Sequence, residues 1–185
     1  ARFKTTTFMT LQANLFLDSF MNGNTAIAPS LAQQVRTTDV DLTPPFVVAF
    51  DLDAPSGVLT LRFSEPMDFQ APFTIGTLSL ANQQGSGAVT YNLATSQSLQ
   101  PLNGTSIRIT LTAGQVAELR SLAQANSGFL ATEAATYLIA SANTAFDIAG
   151  NPSSAVVLQN AIRVSTLVPF MLSGLRSFGI NMITG

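Results

Sequence analysis

Apolar and polar residues alternate one by one along two stretches of this chain, 59–63 and 107–111. In both, Leu, Ile or Phe occupies every second position, with Thr or Arg between. A period of two is typical of a β-strand with one buried face and one wet face. Pro66 ends the first stretch, because it has no N–H for a strand ladder and holds the preceding residue extended. We therefore expect two core strands, the first of which ends in an acidic corner.

Other segments complete the pattern of short strands. Further strands are predicted at 8–11, 46–53, 73–80, 88–93, 136–142 and 155–164, with 26–35 as an extended segment broken by Pro29. Only residues 112–123 change period: Thr112 and Gln115 form a capping-box signature, and apolar residues follow at helical spacing. Short strands at near-regular spacing with a single helix predict an all-β fold, a β-sandwich with one short helix.

The ends of the chain resemble its middle. Pro45-Phe46-Val47-Val48 returns as Pro169-Phe170-Met171-Leu172. Thr7-Phe8, Asn14 and Asp18 return as Thr136-Tyr137, Asn143 and Asp147, and the turn Asn22-Gly23-Asn24 is matched with Ala149-Gly150-Asn151. The spacing from Pro45 to Pro169 and the spacing from Thr7 to Thr136 differ by a short insertion, which we place around that turn. A tandem array with a period of about 125 residues explains these matches.

This period divides the chain into three parts. The polar stretch 37–45 ends in Pro44-Pro45, which stiffens it into a spacer and makes it the best domain boundary. Residues 1–41 are then the C-terminal part of a preceding repeat, 42–166 a complete repeat, and 167–185 the start of a following one.

Composition narrows the function classes. Only 10% of the residues are charged against 46% apolar, and the net charge is −2 with Lys4 as the single lysine. No basic field exists for nucleic acid or anionic lipid, and no apolar run approaches the ~20 residues that cross a bilayer. A surface with so little charge is typical of a domain covered by neighbours or by glycans, hence extracellular or cell-surface. An ordinary domain with a polar, uncharged surface is the alternative.

Catalytic chemistry is sparse. The chain has no Cys and no His, so it lacks thiol nucleophiles, the commonest general base and the commonest transition-metal ligands. We expect no enzymatic activity and no cofactor other than calcium, if any.

Two motifs resemble a known family. Phe63-Ser64-Glu65-Pro66-Met67-Asp68, preceded by Pro44-Pro45 and followed by Asp147-Ile148-Ala149-Gly150-Asn151-Pro152, resembles the bacterial immunoglobulin-like (Ig-like) domains that stand in tandem in S-layer proteins and large adhesins. Phe50-Asp51-Leu52-Asp53, the Asn-Gly-Thr hairpin and the helix before Ala135-Thr136-Tyr137 look like the Ig-like repeat arrays of algal and protist surface proteins, such as the flagellar hairs called mastigonemes. The resemblance covers roughly residues 42–165, and it departs in the helix at Gly114, Gln115 and Arg120. It implies an Ig-like sandwich with a structural or adhesive role and no catalytic site.

Carboxylates cluster near the predicted domain boundary. Calcium takes six to eight oxygen ligands and would stiffen a joint between repeats, so a calcium site is predicted there. Its candidate ligands are Asp39, Asp41, Asp51, Asp53, Glu65, Asp68 and Asp147. The competing interpretation, which we favour, is that these are solvated turn residues, with Asp68 and Asp147 bonded to their own backbones. A glycosidase acid and base pair of Glu65 and Asp68 is disfavoured, because both lie on a turn with no predicted cleft.

Asn103-Gly104-Thr105 is a glycosylation sequon on an exposed hairpin, and the turn alone also explains these residues. Asn151 is excluded as a sequon by Pro152. Most phenylalanines are expected in the core, whereas Phe16, Phe20 and Phe178 in the partial repeats are candidates for contacts with neighbours. The set expected to be mostly core is Phe8, Phe16, Phe20, Phe46, Phe50, Phe63, Phe69, Phe73, Phe129 and Phe146, with Phe16 and Phe20 as its weakest members.

Three functions fit these observations. The first is a structural repeat of an extracellular filament, appendage or surface layer, whose partners are neighbouring repeats, copies of itself and other filament subunits. The second is an adhesin domain that binds a glycan or protein through its end loops, with or without calcium. The third is an accessory module of a secreted enzyme.

Overall fold

A computed structural model describes residues 7–37, 39–94, 96–126 and 128–170, with backbone only for Ser96 and Gln97. The chain divides into two compact units, Ala1–Thr43 and Pro44–Gly185, called here the N-terminal unit and the main unit. Residues 171–185, which include Phe178 and most of the predicted following repeat, lie outside the described residues. Of the helices described, none combines the length and the apolar character needed to cross a membrane.

The N-terminal unit has one small sheet within its described residues. Strand β1 (Phe8–Met9) pairs antiparallel with β2 (Gln33–Gln34), and an isolated bridge joins Leu11 to Ile27. A 3₁₀ turn at Pro29–Leu31 interrupts the segment predicted at 26–35, because Pro29 has no N–H to donate to a ladder.

The main unit contains nine strands and one α-helix within the described residues. In chain order these are β3 (Val47–Asp53), β4 (Val58–Phe63), β5 (Leu78–Ala81), β6 (Thr90–Asn92), β7 (Ser96–Asn103), β8 (Ser106–Leu111), α1 (Ala113–Ala125), β9 (Tyr137–Ala140), β10 (Ile162–Arg163) and β11 (Thr166–Val168). One sheet has the order β11-β3-β4-β8-β7 and the other β10-β9-β5-β6. All pairs are antiparallel except β11 with β3.

The two strands that showed the clearest alternation form the middle of the larger sheet. Leu59 lies opposite Ile109, and Leu61 opposite Ile107, in the β4·β8 register. All four side chains are buried in one core cluster that also takes residues from the second sheet, such as Leu80 and Leu138. The prediction that residues 59–63 and 107–111 both point inward is confirmed, and the fold is mostly β with two sheets around a shared core, as in a β-sandwich.

The helix follows its predicted signal. The Thr112 hydroxyl accepts a hydrogen bond from the Gln115 N–H at 3.3 Å, and the Gln115 side chain accepts one from the Thr112 N–H at 3.4 Å. This capping box satisfies two of the backbone donors that a helix start leaves open. Leu119 and Ala123 then bury one face of α1 against the core.

Several predicted strands are shorter in the structure. The segment predicted at 73–80 begins as the 3₁₀ turn Ile75–Thr77 before β5, and the segment 155–164 keeps only β10 after the 3₁₀ turn Leu158–Asn160. Strand β7 was not predicted, because its sequence has no regular alternation and carries Pro101. It lies at a sheet edge, which is where a strand tolerates proline.

Candidate functional site

The predicted metal ligands on strand β3 have partners within the fold. Both oxygens of Asp51 bond the guanidinium of Arg62 on β4, one of them at 3.1 Å. This bidentate pair raises the pKa of Arg62, mainly through the hydrogen bond to Asp51. Asp53 accepts the Ser56 N–H at 3.2 Å and shapes the turn into β4. The carboxylate oxygens of Asp51 are therefore used in a cross-strand ion pair.

The acidic corner after β4 is a set of local turns. Asp68 accepts the Gln70 N–H at 3.0 Å, which is the hydrogen bond of an Asx turn. Asp147 is almost fully buried, and its two oxygens accept the Asn151 N–H at 2.7 Å and the Asn151 side-chain amide at 2.8 Å. A Glu65 carboxylate oxygen lies within 4.8 Å of one from Asp147. The structure thus brings Glu65 and Asp147 together.

The remaining two predicted ligands belong to the N-terminal unit. Asp39 and Asp41 are exposed, and Asp41 accepts the Thr43 N–H at 2.9 Å. Calcium binding stays a prediction. Asp41, Asp53 and Asp68 make the local turn bonds of the competing interpretation, whereas Asp147 makes such a bond while buried and is therefore not the solvated residue that this interpretation expects.

The sequon lies on the hairpin between β7 and β8. Asn103 is exposed, and its side-chain oxygen accepts the N–H of Thr105 at 2.9 Å and the Thr105 hydroxyl at 3.1 Å. These bonds fix the carboxamide on the outside of the turn. Glycosylation of Asn103 stays a prediction.

An open groove of about 540 Å³ runs beside helix α1. Its apolar wall comes from Ala117, Leu122 and Ala125, and its polar end is the Tyr91 hydroxyl, which donates to Glu118 at 2.6 Å. Burial, followed by the bond to Glu118, raises the pKa of Tyr91 to about 12. The sequence pattern carried no sign of this groove, because Tyr91 and α1 are distant in the chain.

Residues 7–35 and 136–164, called here the N-terminal segment and the C-terminal segment, share one pattern of backbone pairing. Every backbone pairing of the first returns in the second at one constant spacing, that from Thr7 to Thr136, and so do the 3₁₀ turns Pro29–Leu31 and Leu158–Asn160. The matched pairs are Phe8↔Gln34 with Tyr137↔Arg163, Met9↔Gln33 with Leu138↔Ile162, Leu11↔Ile27 with Ala140↔Val156, and Leu17↔Gly23 with Phe146↔Pro152.

The turn inside each segment is held by the same side chains. Asp18 accepts the N–H and the side-chain amide of Asn22 at 2.8 and 3.0 Å, as Asp147 does from Asn151. The bonds from Asn22, its side-chain amide first, lower the pKa of Asp18. The match of Asn22 with Ala149 was therefore wrong by two positions: Asn22 corresponds to Asn151.

Consequently the Thr7-to-Thr136 spacing continues through this turn, and the insertion that was placed there is not present. The shift to the shorter Pro45-to-Pro169 spacing falls later, between Val35 and Pro45, where the N-terminal stretch is longer than the stretch from Val164 to Pro169.

Protein-family models, curated proteins and solved structures contain no significant match to this chain.

The two segments differ in what covers them. Leu138 is fully buried, whereas Met9 at the same place in the register is 52% exposed. Ala145 is 3% exposed, whereas its counterpart Phe16 is 65% exposed. The N-terminal segment therefore carries an uncovered apolar face. The sequence pointed to Phe16 as a contact residue. The whole face is identified only when each residue of the N-terminal segment is compared, at the constant spacing, with the burial of its counterpart in the C-terminal segment.

Proposed function

We propose that this chain is a non-enzymatic structural repeat of an extracellular filament, appendage or surface-layer protein that assembles through repeat–repeat and lateral packing. One observation carries the proposal: the backbone pairing of residues 7–35 recurs at 136–164. One supersecondary unit that returns at a fixed spacing is the signature of a repeat architecture. The division into 1–41, 42–166 and 167–185 is part of this proposal.

The strand order supports an Ig-like repeat. In an Ig-like domain the strands A, B, E and D form one sheet, and G, F and C form the other, to which C′ is added in some members. The run β3-β4-β8-β7 has the order A-B-E-D, and β10-β9-β5-β6 has the order G-F-C-C′. Strand β11 adds a parallel edge beside β3, with Leu167 opposite Leu52.

The outer face of the larger sheet is suited to lateral packing. Thr60 and Thr110 lie on the middle strands β4 and β8 and are partly accessible, and Arg62 on the same strands is neutralised by Asp51. The same face also carries the exposed Arg108 and the partly accessible Asp53, so its two acids and two arginines give no formal net charge, and a second sheet that approaches it meets little net electrostatic repulsion. Catalysis finds less support, because the carboxylates of Asp51 and Asp147 are engaged in hydrogen bonds to Arg62 and Asn151.

The test measures ordered self-association of the purified chain. Sedimentation velocity over rising concentration, followed by electron microscopy of the associated fraction, is expected to show regular assemblies. Thr110→Glu places a charge on the sheet face and is expected to abolish them, whereas Gln83→Glu in a loop is the matched control and leaves them intact. Phe16→Asp separates lateral packing from association through the N-terminal segment.

A chain that stays monomeric at every concentration, or a Thr110→Glu variant that assembles as well as Gln83→Glu, contradicts the proposal. A monomer that binds an immobilised glycan through its end loops would support the adhesin function in its place.

A further inference from the structure

The uncovered face of the N-terminal segment has a counterpart whose cover is visible. In the main unit, β9 pairs on one side with β10 and on the other with β5, where Leu78 lies opposite Ala140 and Leu80 opposite Leu138. In the N-terminal unit, β1 pairs with β2, and that two-stranded sheet is complete within the described residues. The position that β5 takes beside β9 therefore has no occupant beside β1 in the described part of this unit.

Two backbone bonds define how the cover attaches. The Ser141 N–H donates to the Thr77 carbonyl at 3.0 Å, and the Thr74 N–H donates to the Thr144 carbonyl at 2.9 Å. At the Thr7-to-Thr136 spacing, Gln12 corresponds to Ser141 and Leu15 to Thr144. A strand on the open side of β1 would accept from the Gln12 N–H and donate to the Leu15 carbonyl.

We propose that the N-terminal segment binds a half-sandwich with the strand order of β3 to β8. This half-sandwich precedes Thr7 in the same polypeptide, in the way that residues 44–135 precede Thr136. Its β5-like strand pairs antiparallel with β1, and its interior covers Met9, Leu11 and Phe16. This inference rests on the repeat arrangement of the proposed function but not on filament assembly.

The side chains define the shape of that partner. Leu11 stands where the main unit has Ala140, and Phe16 where it has Ala145. Interiors are close-packed, so larger side chains on one layer need smaller ones or more room on the other. Leu15 also replaces Thr144, whose hydroxyl lies 2.7 Å from that of Thr77. The partner therefore has more room opposite Leu11 than this chain's own β3 to β8 has opposite Ala140, and an apolar residue in place of Thr77. At the position of Phe16 the main unit already has space, because a pocket of about 100 Å³ adjoins Ala145.

A second copy of this chain is a poorer occupant for two reasons. Its β5 is already paired with its own β9, so binding in trans would have to displace a strand of the same chain. Because that strand belongs to the same chain, its effective concentration is high, and a second molecule competes with it poorly. Its interior also packs against Ala140, the position of Leu11, whereas a pocket of about 100 Å³ adjoins Ala145, the position of Phe16.

The test compares three proteins by residue-resolved amide hydrogen exchange. The first is the unchanged chain. The second is a chain in which a copy of residues 44–135 replaces residues 1–6 and is joined directly to Thr7, and the third adds Leu11→Ala, Leu15→Thr and Phe16→Ala to the second. The Gln12 amide is the reporter, and the Ser141 amide of the same molecule shows that the main unit is folded. We expect Gln12 to exchange fastest in the first protein and at least about 100-fold more slowly in the third, with the second between them.

A control carries Leu80→Asp only in the added copy, which places a charge opposite Met9, and it is expected to return Gln12 to fast exchange. Equal Gln12 exchange in all three proteins, with Ser141 still protected, overturns the proposal. Full protection in the second protein without further gain in the third overturns the inference about partner shape. All measurements are made on monomers, so their outcome is independent of whether the chain assembles.

Discussion

Leu138 and Met9 occupy matching positions in the C-terminal and N-terminal segments, but only Leu138 is covered by a second sheet. Truncating each to alanine therefore measures what burial contributes at this position. Both residues occupy the second position of a two-strand pair with the same register, Leu138↔Ile162 and Met9↔Gln33. Leu138 is fully buried, and about half of Met9 is in solvent. The same truncation therefore removes methylene groups from a packed core in one case and from a wet surface in the other.

The expected magnitudes differ severalfold. Leu→Ala in a packed core costs about 2–5 kcal/mol, the lost transfer energy plus a cavity term, so we expect about 3 kcal/mol for Leu138→Ala. In a unit of this size, about 3 °C of Tm corresponds to about 1 kcal/mol, which gives a fall of about 9 °C. Met9→Ala, like most surface substitutions, should change the free energy of unfolding by no more than about 0.5 kcal/mol.

Urea denaturation followed by far-ultraviolet circular dichroism measures both variants against the unchanged chain. The slope of the transition reports whether the same surface unfolds, so the midpoints are compared only where the slopes agree. If Met9→Ala lowered the stability as much as Leu138→Ala, the N-terminal segment would already be covered in the isolated chain, and the reasoning from exposure would fail.

The remaining predictions use the same logic of matched positions. Asp147→Ala removes a buried carboxylate and leaves the part-buried Asn151 N–H without its acceptor, which should cost about 3 kcal/mol in urea denaturation. Asp18→Ala lies on an exposed turn, where water replaces the carboxylate, and should leave the unfolding transition of the main unit unchanged. The pKa of Tyr91 is raised to about 12 from 10.0, so its contribution to stability is complete below pH 10 and is lost as the pH rises through 12. Tyr91→Phe should therefore flatten the dependence of stability on pH in the alkaline range, and an unchanged dependence would contradict the shift. Gly57→Ala should cost about 2 kcal/mol by denaturation, because φ is +68° and the added Cβ would lie 2.5 Å from a Val116 methyl group, whereas Gly85→Ala, with φ of +77° and open space, should show only the backbone cost of about 1 kcal/mol.

Elements whose signal is local could be predicted from the sequence. The alternation at 59–63 and 107–111 and the capping box at Thr112 each depend on neighbouring residues, and each appears where it was expected. Strand β7 could not be predicted, because its position is fixed by β8 beside it and not by its own pattern. Phe50, Phe63 and Phe129 are buried as predicted, whereas Phe8 and Phe46 are about half exposed and Phe16 and Phe20 are more exposed still.

The repeat shows what a single sequence conceals. Asp18 and Asp147 were matched correctly by identity, but the turn that follows was matched by its glycine, Gly23 with Gly150. In the structure the left-handed position that Gly150 fills is taken by Met21, with φ of 65°. Aligning the two turns on their glycines therefore placed an insertion in the turn. The hydrogen bonds of Asn22 and Asn151 show that these two residues correspond, and the turn then needs no insertion.

The N-terminal segment has the same backbone geometry as the C-terminal segment although its apolar side chains are exposed. The reason lies in where its side-chain hydrogen bonds are made. Asn24 accepts the Phe16 N–H at 2.8 Å and donates to the Gln12 carbonyl at 2.8 Å, so one side chain ties both sides of the turn. Its counterpart Ser153 is buried and accepts only the Ala145 N–H in the same place, at 3.2 Å. Polar bonds of this kind are local and need no opposing sheet, whereas the apolar side chains of the segment gain their stabilisation only when another layer excludes water from them. The backbone of the N-terminal segment is thus held by its own turn residues, although large side chains such as Phe16 are exposed.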